Sequence, residues 1–187
     1  CLELGGNDPM LVCPDADLER AAGGAVWAGL QNCGQSCAGV ERIYVHEEVY
    51  EPFLALLKVK VEALRVGADR EFEVDLGVMT TSAQRQKVKA QIEEALARGA
   101  LIHAQSATPD PVLLPDALPA IVLTGVHHGM RVMSEETFGP VLAVMPVKDM
   151  DQAVALANDS SFGLTGSVWT RNARCGRWLA RRIQAGV

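Results

Sequence analysis

Apolar residues along this chain switch repeatedly between two spacings. Met10 to Cys13 is a short apolar run ended by Pro14, the pattern of a buried strand. Leu18, Ala21, Ala22, Ala25, Val26 and Leu30 then recur at helical spacing, with Asp15 or Asp17 placed to cap the helix. Arg42 to His46 carries β-branched and aromatic residues and predicts a strand. A second helical face follows at Tyr50, Phe53, Leu54, Leu57, Val61 and Leu64, with Gly67 as its expected stop. A third runs through Val88, Ile92, Ala95 and Leu96, capped by Ser82 and halted at Gly99.

Beyond it, Leu101 and Ile102 open a strand, and residues 105–119, rich in Pro and Asp, read as a surface loop. Ala120 to Leu123 and Val141 to Val147 are strands, Asp151 to Asn158 a short helix, and Gly166 to Thr170 a strand. Asn172 caps a last helix that turns Cys175, Leu179 and Ile183 inward. Such alternation of strand and helix predicts an α/β fold: one three-layer domain over residues 1–187, with a largely parallel sheet flanked by helices.

Composition narrows the class. Hydrophobic residues make up 49% of the 187, enough for a sizeable core and too many for a disordered chain. A net charge of −6 argues against nucleic acid or an anionic membrane as partner, and no apolar run approaches a membrane span. The 5 cysteines are odd in number and irregularly spaced, which predicts free thiols, a reducing cytoplasm and no metal site. Cys33 and Cys37, four apart, could share a helix face. The five arginines from Arg171 to Arg182 read as a solvated face, and the three tryptophans as core or interface residues.

Three short motifs carry candidate chemistry. In Gly34-Gln35-Ser36-Cys37-Ala38-Gly39, small neighbours leave room for a carbonyl to approach the Cys37 sulfur, and nearby backbone N–H groups could hold an oxyanion. Alone, that pattern is a weak signal, because an unpaired cysteine is more often an inert core residue, which is the preferred reading for Cys33. In Leu2-Glu3-Leu4-Gly5-Gly6, flanking leucines would partly desolvate Glu3 and suit it to take a proton from water. It could also be a solvated residue on a frayed terminus. In Glu135-Glu136-Thr137-Phe138-Gly139-Pro140, a carboxylate could accept hydroxyl hydrogen bonds, and Pro140 predicts an extended loop leading into the strand at Val141.

Taken together, the three motifs resemble those of the aldehyde dehydrogenase superfamily, and the resemblance covers nearly the whole chain. It implies the catalytic domain of an NAD(P)-dependent enzyme that oxidises an aldehyde to a carboxylic acid. Cys37 would be the nucleophile, passing through a thiohemiacetal and a thioester, and Glu3 the base for hydrolysis. Glu136 would bind the nicotinamide ribose of NAD or NADP, and Phe138 would flank the nicotinamide. Asn7 stands where many members carry lysine. Both ends fall inside expected elements, so the chain should lack the family's N-terminal dinucleotide-binding domain and its C-terminal tail. On that expectation it does not bind the cofactor alone, and the parent protein is a cytoplasmic homo-oligomer. The rival readings are a coenzyme A-acylating relative and a non-catalytic folding or oligomerisation module.

Overall fold

The computed structural model describes residues 3–68, 73–108, 112 and 114–187. Six strands form one sheet: β1 (Asp8–Val12), β2 (Val40–His46), β3 (Leu101–Gln105), β4 (Ile121–Thr124), β5 (Val141–Val147) and β6 (Ser167–Trp169). Their order is β3-β4-β5-β2-β1-β6, with every pairing parallel except β3 against β4. The helices are α1 (Leu18–Leu30), α2 (Tyr50–Glu62), α3 (Ser82–Ala97), α4 (Arg131–Ser134), α5 (Met150–Asn158) and α6 (Ala173–Ala180).

Alternation along the central strands divides the core in two. Met10, Val12, Ile43, Val45, Leu142 and Val144 pack with α1 and α2 on one face. Leu11, Tyr44, Ala143 and Leu123 pack with α3, α5 and α6 on the other. Strands buried on both faces read as nearly continuous apolar runs, and β1 and β4 are buried throughout. The three-layer α/β expectation is met.

Local chemistry explains the boundaries. Asp17, Asp149 and Asn172 cap α1, α5 and α6 by accepting backbone N–H bonds from Arg20, Gln152 and Arg174. Two expectations are corrected. Thr81, not Ser82, caps α3: its hydroxyl accepts from Gln84 N, while Ser82 Oγ donates to Asp116 Oδ1. Helix α2 ends at Glu62 rather than Gly67, because the chain there pairs with residues 75 and 76, and Gly67 N donates to Leu76 O. Of the predicted loop, Gln105 closes β3 and Ala117 and Leu118 are buried, while residues 109–111 and 113 lie outside the described residues. The Arg-rich stretch is exposed, as expected, but Arg182 and Arg171 pair with Asp151 and Asp17. Trp27 and Trp178 are exposed.

Candidate active site at the amino-terminal edge of the sheet

Parallel pairing brings the three motifs together. Strands β1, β2 and β5 are neighbours running the same way. The motif around Glu3 precedes β1, the motif around Cys37 precedes β2, and the motif around Glu136 precedes β5. All three loops therefore emerge at one edge of the sheet, at the amino ends of its strands.

Glycines let the loops touch. A Cβ on Gly6 would stand 1.9 Å from the Cys37 carbonyl oxygen, and one on Gly34 would stand 2.1 Å from the Gly139 carbonyl oxygen. Neither distance is open to a real side chain, so each pair of motifs meets backbone to backbone.

The nucleophile loop departs from the helical picture. Helix α1 stops at Leu30, and Asn32, Cys33 and Gly34 then adopt left-handed φ values of 52°, 58° and 69°. Cys33 and Cys37 therefore share no helix face. Cys33 is turned into the core, where burial pushes its thiol up to about 11. Cys37 is exposed in a turn closed by Gly39 N donating to Ser36 O at 3.0 Å. Gln35, itself buried, anchors that turn: Nε2 donates to Asn32 O at 3.1 Å, and Oε1 accepts from Thr80 N at 2.8 Å. The Cys37 N–H donates to no protein acceptor among the described residues.

The third motif is an irregular loop, as Pro140 predicts, but it is not simply extended. Phe138 sits at φ 53°, a left-handed geometry that costs a residue of its kind roughly 1–3 kcal/mol. Hydrogen bonds bracket it on both sides. Thr137 N and Phe138 N donate to the Glu41 carboxylate at 2.8 to 3.0 Å. Gln84 Nε2 donates to Thr137 O at 2.8 Å and to Phe138 O at 3.1 Å. Glu136 Oε1 accepts from Gly6 N at 2.9 Å, and Lys87 Nζ donates to Glu136 O at 2.8 Å.

Glu3, Cys37, Glu136 and Phe138 line one cleft of about 270 Å³, together with Gly5 and Gln84. One expectation about Glu3 is corrected: the described residues do not desolvate it. It is exposed, as its reading as a solvated residue has it, and Leu4 beside it is 65% exposed.

Two contributors to this edge were missed in the sequence. Gln84 lies in the first turn of α3, off the apolar face that its spacing predicts. Glu41 lay just outside the expected strand, yet it is 4% exposed, and burial pushes its carboxyl up to about 7 against the hydrogen bonds that lower it. The available signal was a pair of adjacent charges, Glu41-Arg42, at the head of a central strand. Arg42 is also buried and donates to the carbonyls of Asn7, Leu156 and Ala157. Among the described residues there is no group of three or more side chains able to hold a metal, and no helix long and apolar enough to cross a membrane.

Comparison with known proteins places the whole chain in one family. The aldehyde dehydrogenase family profile matches residues 1–187. The chain is 44% identical over 185 residues to a 4,4'-diapolycopene aldehyde oxidase of Methylomonas sp, covering 99% of this chain and 34% of that protein. It is 38% identical to a succinate-semialdehyde dehydrogenase [NADP(+)] of Mycobacterium bovis, covering 99% of this chain and 40% of the relative. The crystal structure of betaine aldehyde dehydrogenase from Staphylococcus aureus, in complex with NAD+, superposes with a TM-score of 0.93 at 31% identity, covering 99% of this chain and 37% of that one. The chain thus spans between a third and two-fifths of the length of these relatives, and it belongs to the aldehyde dehydrogenase family.

Proposed function

We propose that this chain is the catalytic domain of a longer NAD(P)-dependent aldehyde dehydrogenase, which oxidises an aldehyde to a carboxylic acid. The observation that carries the reading is the single cleft in which Cys37, Glu3, Glu136 and Phe138 meet. On this reading the parent protein supplies the dinucleotide-binding domain, and these 187 residues do not bind the cofactor alone. NADP in the name of one relative and NAD+ in the structure of another support a nicotinamide cofactor.

The residues present fit such a group. Glu136 uses Oε1 for Gly6, and Oε2 meets no protein donor among the described residues, so that oxygen can accept a ribose hydroxyl. Phe138 lines the same cleft and can flank the nicotinamide ring.

The chemistry starts at Cys37. Its exposed sulfur, as the thiolate, attacks the carbonyl carbon of the aldehyde and forms a thiohemiacetal. The Cys37 backbone N–H, free of protein acceptors, donates to the oxygen as charge develops on it. Bound NAD(P)+ would accept the hydride that leaves the carbonyl carbon, and a thioester on Cys37 remains. Glu3 takes a proton from water, the water attacks the thioester, and the carboxylic acid leaves as the thiol is restored. A carboxylate in the cleft favours water over a second thiol as the acyl acceptor.

Two cysteine variants of the parent enzyme test this. Cys37→Ala should lower NAD(P)H formation by at least three orders of magnitude, on the scale of losing a nucleophile, whereas Cys33→Ala should keep most of it. Equal loss in two folded variants, or activity in Cys37→Ala, contradicts the assignment.

A further inference from the structure

Strand β2 leaves the Cys37 turn at Val40, and its second residue is Glu41. Because β2 lies between β1 and β5, Glu41 stands between the other two motif loops. Its carboxylate is buried and accepts from three donors. Oε1 accepts from Thr137 N at 3.0 Å and Phe138 N at 2.8 Å. Oε2 accepts from Thr137 N at 2.9 Å and from Asn7 Nδ2 at 2.8 Å. Asn7 also donates to Glu135 O at 3.2 Å, and it follows Gly6, which touches both Glu136 and the Cys37 carbonyl. The carboxylate thus ties the Thr137–Phe138 turn to Asn7, the residue after the Glu3 motif, from a strand that begins just past the Cys37 turn.

Among the described residues no cation pairs with it. The neighbouring Arg42 is spent on the carbonyls of Asn7, Leu156 and Ala157 and on Tyr44 Oη. The charged groups on the adjoining loop and helix are Glu136, Glu135 and Lys87, and Lys87 Nζ is bound to Glu136 O. A buried carboxylate without a counter-ion is an expensive choice for a strand position that a Ser or Asn could fill, unless its strong acceptors are needed. They face a turn that is held against its own preference, the left-handed Phe138.

We infer that Glu41 is a positioning residue of the cleft: its carboxylate seats the Thr137–Phe138 turn, and with it Glu136 and Phe138, beside the Cys37 loop. The inference rests on the reading of the cleft given above. It assigns Glu41 no contact with substrate. It separates the cofactor side of the cleft, which depends on Glu41, from the sulfur side, which is anchored by Gln35 and the Ser36–Gly39 turn.

The test uses the parent enzyme with three readouts: steady-state aldehyde oxidation, ester hydrolysis by Cys37 without cofactor, and hydrogen–deuterium exchange over residues 135–141. Glu41→Ala should raise KM for NAD(P)+ roughly tenfold, the scale of losing charge-assisted bonds, with a smaller change in kcat. Exchange at Thr137 and Phe138 should accelerate, and ester hydrolysis should stay within about twofold of the parent rate, since the sulfur side has its own anchors. Glu41→Gln keeps one acceptor oxygen and should fall between the two, and it carries the test alone if Glu41→Ala does not fold. Unchanged KM with unchanged exchange overturns the inference, as does an equal loss of ester hydrolysis. If the parent oxidises no aldehyde and cleaves no ester, the functional reading fails instead, and the exchange rates at residues 137 and 138 still decide the role of Glu41.

Discussion

Gly34 and Gly6 have their place in the motifs through contact rather than through room around the sulfur. Each faces a carbonyl of another motif at a distance no Cβ can occupy, and Gly34 is also left-handed. Gly34→Ala should therefore force the Cys37 loop away from Gly139, and strain and overpacking together should cost roughly 2 kcal/mol or more. For a chain of this size that is a fall in Tm of about 4–8 °C, read by calorimetry. An unchanged Tm would mean that the two loops do not meet. The motif residues themselves were legible, because Cys37, Glu3, Glu136 and Phe138 stand in patterns short enough to read along the chain. Glu41 was not: its partners are Asn7, Thr137 and Phe138, and nothing local distinguishes it from a solvated glutamate at a strand edge.

Elements were legible to the extent that their signals are local. The spacing of apolar residues identified α1, α2 and α3, and the caps at Asp17 and Asn172 acted where expected. Failures came where a distant segment overrode the local signal. Pairing with residues 75 and 76 drew the chain out of α2 before Gly67, and Asp116 took the Ser82 hydroxyl. The sharpest case is the stretch after α1. Four apart, Cys33 and Cys37 could share a helix face, but Asn32, Cys33 and Gly34 turn left-handed, leaving Cys33 in the core, as its preferred reading has it, and Cys37 exposed. That turn delivers Cys37 to the edge where β1 and β5 also begin, so the site depends on strand order, which no short segment records.

At the scale of the whole molecule, the buried carboxylate of Glu41 leaves a pH signature. Its pKa is raised by burial from 4.5 to about 7, so the folded chain holds this proton more tightly than the unfolded chain does. The stabilisation is fully present below about pH 4.5 and is lost as pH rises through about 7, with a ceiling on the order of 3 kcal/mol. Burial lowers His128 instead and works in the opposite sense below its ordinary value of 6.5, so the comparison must be with Glu41→Gln. Denaturant unfolding between pH 4.5 and 8 should show a decline for the native chain, relative to the variant, that starts above about pH 4.5 and levels off above about pH 7. Parallel profiles would contradict the buried, ionisable state. The account as a whole turns on the sulfur of Cys37. Its most direct test is to quench the parent enzyme in acid during turnover with aldehyde and NAD(P)+, digest it, and fragment the peptide that spans residues 33–37 by mass spectrometry. The account predicts an acyl group of the substrate's mass, less one hydrogen, on Cys37 and none on Cys33. An adduct on Cys33, or turnover with neither cysteine modified, would contradict it.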